Sequence, residues 1–363
     1  MISFASPSRE HAASCEAIEA AALRVLRSGS YVLGSEVEQL EAELARATGS
    51  PFAIGVSSGT DALVCALHAL QIGDGHEVIV PAFGFVAAPE AVIRVGARPV
   101  FVDLEPITLG PAPKAISNAL SPRTRAVIVM HLFGQSVDLE PIRQAAGDAA
   151  IIEDAAQGIG TLHGGRQVGT LAELGTLSFF PAKSLGAAGD AGAVLTSSAD
   201  LAARVRMARC HGAERAYRWE APGGNYRLDA LQAAILRVKL AAFPQRIQRR
   251  KQIGQRLAAV ARSHGVEPLV GTPACEPTFA PFALRLKNRD PIAALMRERG
   301  IDVRTQYPLT LAACPAFRAH ARGAYPEADR ATRELLSLPC HAELTDAEVD
   351  QLHSALEEAL TRG

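Results

Sequence analysis

The first 200 residues alternate short apolar runs with stretches in which apolar positions recur every three or four residues. The runs are FAIGV at 52–56, EVIVP at 77–81, PVFVD at 99–103, RAVIVMH at 125–131, AIIED at 150–154, TLSFF at 176–180 and GAVLT at 192–196. Short runs rich in Val and Ile predict strands buried on both faces. Seven of them, most joined by helical crossovers, predict an α/β protein with a large, mainly parallel sheet. Ahead of the sheet, residues 15–27 and 35–47 have helical periodicity, with Ser28-Gly29-Ser30 as the break and Ser35 as a cap. Residues 228–255 predict a long helix broken near Pro244, whose charges (Arg246, Arg249, Arg250, Lys251, Arg256) are expected to form a solvated face or a subunit contact. Past Gly265 come PFALRLK at 281–287, a helix at 290–299, DVRTQY at 302–307 and an amphipathic helix at 345–360. The pattern therefore predicts a large α/β domain over 1–245 and a small C-terminal α+β domain over 246–363.

Composition narrows the function classes. A chain of 363 residues with 48% hydrophobic and 21% charged positions is long and apolar enough to bury a continuous core, which excludes disordered and disulfide-stapled classes. The formal charge of −1 supplies no long-range field for a polyanion, so neither nucleic acid nor a membrane surface is an expected partner. Six dispersed cysteines without a CxxC pair read as free thiols in a reducing compartment. The opening MISFASPSREHAAS lacks a basic region followed by an apolar stretch, and no apolar run is long enough to span a bilayer, so the expected location is the cytoplasm. Of 37 basic residues only five are lysine (Lys114, Lys183, Lys239, Lys251, Lys287), a short list if the chemistry needs an amine.

Ligands of open parallel sheets bind beyond the carboxyl ends of strands, so the residues that follow each apolar run carry the chemistry. Ser57-Ser58-Gly59-Thr60-Asp61 follows the first run and opens an apolar helix; it is either a phosphate site or an ordinary cap with Thr60 or Asp61 as the capping residue. Asp154 ends the fifth run, where a buried carboxylate needs a cationic partner, structural or catalytic. Lys183 follows the sixth run ahead of a Gly-rich segment; it is a desolvated nucleophile or a surface loop residue. Phe85 follows the second and could stack on a planar ring or pack in the core. Together the four fit the needs of pyridoxal 5'-phosphate: an anion site, a partner for the ring nitrogen, an apolar face and a lysine to hold it as a Schiff base.

The segments GSYVLGSEVEQLE, SSGTDAL, HEVIVPAFGFVAAPEAV, HLFGQ, IIEDAAQ, SFFPAKSLGAAGDAGAV, RCHG and GGNYRLDALQAAILRVKL resemble the DegT/StrS-type sugar aminotransferases, which are fold-type I pyridoxal-phosphate enzymes. The resemblance covers nearly the whole chain. It implies that Lys183 holds the coenzyme and shuttles the proton, that Asp154 pairs with the ring nitrogen, that Gln157 lies near the phenolic oxygen and that Phe85 stacks on the ring. Ser58, Gly59, Thr60 and Ser178 would hold the phosphate. Asn225 would reach it from a neighbouring subunit, which implies a homodimer with shared sites. Arg227, Gln306 and Tyr307 would contact substrate. The implied reaction is ping-pong transamination from an amino acid, L-glutamate, to a keto group of a nucleotide-linked sugar, with the opening SGSYVLGSEVEQLE and HLFGQ closer to the branch acting on 3-keto sugars. Where family members often read HYPxPLHxQPAF, this chain has QYPLTLAACPAF, with Gln306, Thr310, Ala312 and Cys314 as departures; Gly84 also replaces a threonine. These changes leave open a keto-cyclitol acceptor and, as a minor alternative, a coenzyme-binding regulatory protein without turnover. His131 is expected to be a satisfied core histidine.

Overall fold

The structure is a computed structural model and describes residues 1–215 and 217–362. All seven apolar runs are strands of one sheet: β1 (Phe52–Val56), β2 (Glu77–Pro81), β3 (Arg98–Val102), β4 (Thr124–Met130), β5 (Ala150–Asp154), β6 (Leu174–Ser178) and β7 (Gly192–Thr196). Their order is β1-β7-β6-β5-β4-β2-β3. Every neighbouring pair is parallel except those of β7, which runs antiparallel to both β1 and β6. The reversed strand follows from the short return between β6 and β7, which contains no crossover helix.

Helices α1 (Pro7–Ala12), α2 (Cys15–Ser28) and α3 (Ser35–Thr48) precede the sheet, close to the periodicity in the sequence. The crossovers are α4 (Gly59–Ala69), α5 (Ala87–Arg94), α6 (Pro113–Ala119), α7 (Glu140–Ala146) and α8 (Ala199–Ala208). On α4 the run Ala62–Leu67 is buried all round, as a helix wedged between the sheet and α5 and α8 must be. Each Leu or Val side chain so buried contributes roughly 1.5–3 kcal/mol.

Helix α9 (Ala230–Ser263) does not break at Pro244, contrary to the sequence expectation. Proline removes one backbone donor and costs about 3 kcal/mol in a helix interior. Here Pro244 lies on the exposed face while Phe243 and Ile247 beside it are buried, so packing holds the helix through it. Its first half buries Ala233, Leu236 and Leu240 with α3 and the sheet; its second half buries Ile253, Leu257 and Val260 in a separate cluster. That second cluster forms on an antiparallel pair, β8 (Phe282–Arg285) and β9 (Leu335–Leu338), with α10 (Arg289–Glu298) and α12 (Asp346–Arg362). Helix α11 (Pro326–Glu334) leads into β9. Ile2 bridges Ile301, which draws the N-terminal segment into the same cluster. Among the described residues no helix is long and apolar enough to cross a membrane.

Register fixes the place of the chemistry. Met130 is level with Asp154, Asp154 with Thr176, and both Ser178 and Val56 with Gly192. The carboxyl ends of β1, β4, β5 and β6 and the beginning of β7 thus share one edge.

Candidate active site

A cavity of about 490 Å³ opens at this edge. Ser58, Gly59, Thr60, Phe85, Asp154, Gln157, Ser178, Lys183, Gln306 and Tyr307 all line it. Asn225 and Arg227 do not: Arg227 Nε donates to Asn225 Oδ1 at 2.8 Å, and the two pair through their backbones with Cys210 and Val56 rather than line the cavity of their own chain.

One end is an anion cradle. The cap of α4 is Ser58, whose Oγ accepts from the Asp61 N–H at 3.0 Å, and not Thr60 or Asp61. Asp61 is drawn aside because it accepts from Ser57 Oγ at 2.6 Å and pairs with Arg94. The positive end of α4 therefore faces the cavity beside Gly59 and Thr60. Two glycines let the chain close here. A Cβ on Gly59 would lie 2.7 Å from Ser178 Cβ, and one on Gly192 would lie 2.4 Å from the Ser58 carbonyl oxygen.

Across the cavity, Asp154 is 8% exposed and accepts from the Ala156 N–H at 3.0 Å. Burial pushes its carboxyl pKa up, opposed by that hydrogen bond and by nearby Lys183. Burial pushes the Lys183 ammonium down, opposed by Asp154. Each group opposes the other's shift without reversing it, and Lys183 Nζ makes no hydrogen bond or ion pair within the described residues. The loop that carries it is pinned elsewhere: Lys239, buried on α9, donates from Nζ to the Gly186 carbonyl at 2.6 Å and lies 3.5 Å from Glu10.

Successive residues of a strand face opposite ways, so Glu153 points away from the side that Asp154 serves. Fully buried, it accepts from Gly169, Leu171 and Ala172 N–H groups at 2.7–2.8 Å and contacts His131 Nε2 at 2.8 Å. The Val137 N–H donates to His131 Nδ1 at 3.1 Å, so Nε2 carries the proton toward Glu153. His131 is thus a satisfied core residue with one face on the cavity.

Gln157 accepts from the Phe133 N–H at 2.6 Å, and its amide nitrogen lies 3.5 Å from the Tyr307 hydroxyl. The Tyr307 ring meets Phe83 edge-on at 5.7 Å and Phe85 at 6.2 Å, and burial pushes its phenol pKa up, keeping the hydroxyl neutral. Of the four departures in QYPLTLAACPAF, only Gln306 lines the cavity, where its Oε1 is buried without a partner. Thr310 caps a short 3₁₀ turn, Cys314 Sγ donates to the Thr310 carbonyl at 3.3 Å, and Ala312 is core. Gly84 has φ +143°, and a Cβ there would strike the Met130 thioether at 2.6 Å. Met130 occupies the room that a threonine at position 84 needs.

The other end of the cavity was not anticipated. Phe4–Pro7 and Glu10 from the N-terminal segment, Arg246 and Arg250 from α9, Arg304, and Cys340, His341 and Glu343 wall it. The helix charges expected to be solvated divide by face. Arg246 and Arg250, four residues apart, turn inward, whereas Arg249, Lys251 and Arg256 pair with Asp346, Glu276 and Asp350.

The residues fit pyridoxal 5'-phosphate: a glycine-closed helix terminus for the phosphate, a buried carboxylate for the ring nitrogen, an exposed aromatic ring at Phe85 and one unpaired amine. Fold and site together define a fold-type I α/β enzyme whose cavity, lined by Lys183 and Asp154, opens at the edge of a seven-stranded sheet. The chain belongs to the DegT/DnrJ/EryC1/StrS aminotransferase family, whose family model matches residues 13–357. It is 37% identical to a UDP-2-acetamido-2-deoxy-3-oxo-D-glucuronate aminotransferase of Pseudomonas aeruginosa, over 98% of this chain and 99% of that protein. It is 40% identical to a dTDP-3-amino-3,4,6-trideoxy-alpha-D-glucose transaminase of Streptomyces venezuelae, over 88% of this chain and 86% of the relative. The crystal structure of S. venezuelae DesV in complex with a ketimine intermediate superposes with a TM-score of 0.95 at 36% identity, covering 100% of this chain and 99% of that one.

Proposed function

We propose that the protein is a pyridoxal-phosphate-dependent aminotransferase that moves an amino group from L-glutamate to a 3-keto group of a nucleotide-linked hexose by ping-pong transamination. The observation that carries this reading is a desolvated Lys183 facing buried Asp154 across one cavity, beside the glycine-closed helix terminus. When bound, the coenzyme supplies an electron sink for the charge that develops at the substrate carbon.

The remaining work falls to the chain. Ser58, Gly59, Thr60 and Ser178 anchor the phosphate. Asp154, oriented by the Ala156 N–H, pairs with the ring nitrogen and keeps a proton on it. Lys183 Nζ moves the proton between carbons. Among the described cavity residues it is the one side-chain amine, and burial favours its neutral, basic form. Gln157, held by the Phe133 N–H, lies toward the phenolic oxygen of the coenzyme, and Tyr307, set against Phe83 and Phe85, fixes the approach of the substrate. Relatives named for 3-oxo and 3-amino sugars support the 3-keto acceptor. The test is transfer of labelled nitrogen from L-glutamate to UDP- and dTDP-linked 3-keto sugars, with 4-keto sugars and keto-inositols alongside. Turnover confined to the keto-inositols would sink the nucleotide-sugar reading, and a protein that binds coenzyme without any turnover would favour a regulatory one.

Asn225 and Arg227 enter the site of a second copy, in a homodimer. Phe85, Phe180, Tyr217, Trp219 and Leu309 are exposed apolar residues that such a contact would cover. Mixing Lys183→Ala with Arg227→Ala protein and allowing exchange is expected to restore about a quarter of wild-type activity, because half the dimers are mixed and each of these has one intact site. No recovery after demonstrated exchange would place both residues in one subunit's site. Six free thiols suit a reducing cytoplasm.

A further inference from the structure

We propose that Arg250 binds a carboxylate of the amino-acid donor, an inference that rests on the transaminase reading above. Four lysine or arginine side chains line the cavity: Lys183, Arg246, Arg250 and Arg304. Arg246 is neutralised between Glu10 at 3.1 Å and Glu343 at 2.7 Å. Arg304 pairs with Asp302 at 3.0 Å and lies over the Phe4 ring, 4.5 Å from its centroid. Lys183 is committed to the coenzyme.

Arg250 has no carboxylate within ion-pair distance among the described residues, and its side chain makes a single hydrogen bond, from Nη1 to the Phe279 carbonyl at 3.2 Å. The rest of its planar fork of donors is left for a ligand. Burial pushes the guanidinium pKa down, opposed by Glu343 and Glu10 from beyond ion-pair distance, so the site carries a desolvation cost that an arriving anion offsets. A carboxylate matches the fork with two parallel hydrogen bonds. The chain following Phe279 brings Ala280 and Pro281 to the same wall, so Arg250 is anchored through Nη1 on a cavity that it shares with Lys183.

Anionic groups reach this cavity from two sources, the donor's carboxylates and the diphosphate of the acceptor. The two separate in a binding experiment on the coenzyme-loaded protein, with glutarate as the unreactive carboxylate probe and UDP as the diphosphate probe, read by calorimetry. Arg250→Gln is expected to weaken glutarate about 10–100-fold and leave UDP within about twofold, with Arg250→Lys in between. The KM for L-glutamate in the donor half-reaction, followed by the change in coenzyme absorbance, should rise with the glutarate constant. The coenzyme spectrum and Tm of each variant report whether the Phe279 contact merely braces the fold. Glutarate binding unchanged in Arg250→Gln overturns the assignment. So does a loss of UDP binding equal to or greater than that of glutarate, or a wild-type protein that turns over with glutamate yet does not bind glutarate. A wild-type protein that accepts nitrogen from no amino donor overturns the transaminase reading and this inference with it.

Discussion

Lys183→Ala is expected to fold, to bind pyridoxal phosphate through the α4 terminus alone and to lose at least about 10³-fold in amino transfer. Nothing else on the described cavity wall can replace it. The neighbouring cations are arginines, which do not deprotonate; His131 uses both ring nitrogens in the Glu153 and Val137 contacts, and His341 uses its own at the Ser3 carbonyl and Glu343. The coenzyme absorption band of the wild type should be missing from the variant, and added small amines should restore part of the rate. Activity retained within tenfold would mean that the proton moves through another group.

Asp154→Ala has the second largest expected effect. Deleting a preorganised charge at a reacting centre costs about 3–4 kcal/mol, or 10²–10³-fold in kcat. A shift in pH dependence accompanies it. Asp154 holds the Lys183 pKa up, so its removal lets that pKa fall further and enlarges the neutral fraction of the amine at any given pH. The rising limb of the rate profile should therefore move to lower pH in the variant, even as its plateau falls. A limb that stays in place, or moves to higher pH, would separate the two residues electrostatically.

The seven strands were legible because a parallel sheet covered on both faces needs unbroken apolar runs, and little else in the sequence produces them. The carboxylate, lysine and glycine-rich turns were legible for a related reason: each stands a few residues beyond such a run. Local signals misled at two points. Pro244 reads as a break from the chain alone, but burial of Phe243 and Ile247 outweighs one missing hydrogen bond. Thr60 and Asp61 are as good capping residues as Ser58; the choice depends on Ser57 and Arg94 engaging Asp61. The arginine end of the cavity had no local signature. Arg250 belongs to a charged stretch that looks solvated, and the residues that wall the cavity with it come from Phe4–Pro7, from 280–281 and from Cys340, His341 and Glu343, far apart in sequence. The 3.6-residue spacing of Arg246 and Arg250 away from Arg249, Lys251 and Arg256 was the one hint available.

The reversal of β7 has a mechanical meaning. Because β6 ends and β7 begins on the same edge of the sheet, the Lys183 loop leaves and re-enters the same rigid body within a dozen residues, with Lys239 as a third tether at Gly186. Arg304 hangs instead from the C-terminal elements and Arg250 from the half of α9 that packs with them, whereas Tyr307 packs on the large core against Phe83 and Phe85. Any rocking of the C-terminal elements would carry Arg250 and Arg304 past a stationary amine. Such a movement would change the grip on a bound anion without re-aiming the base.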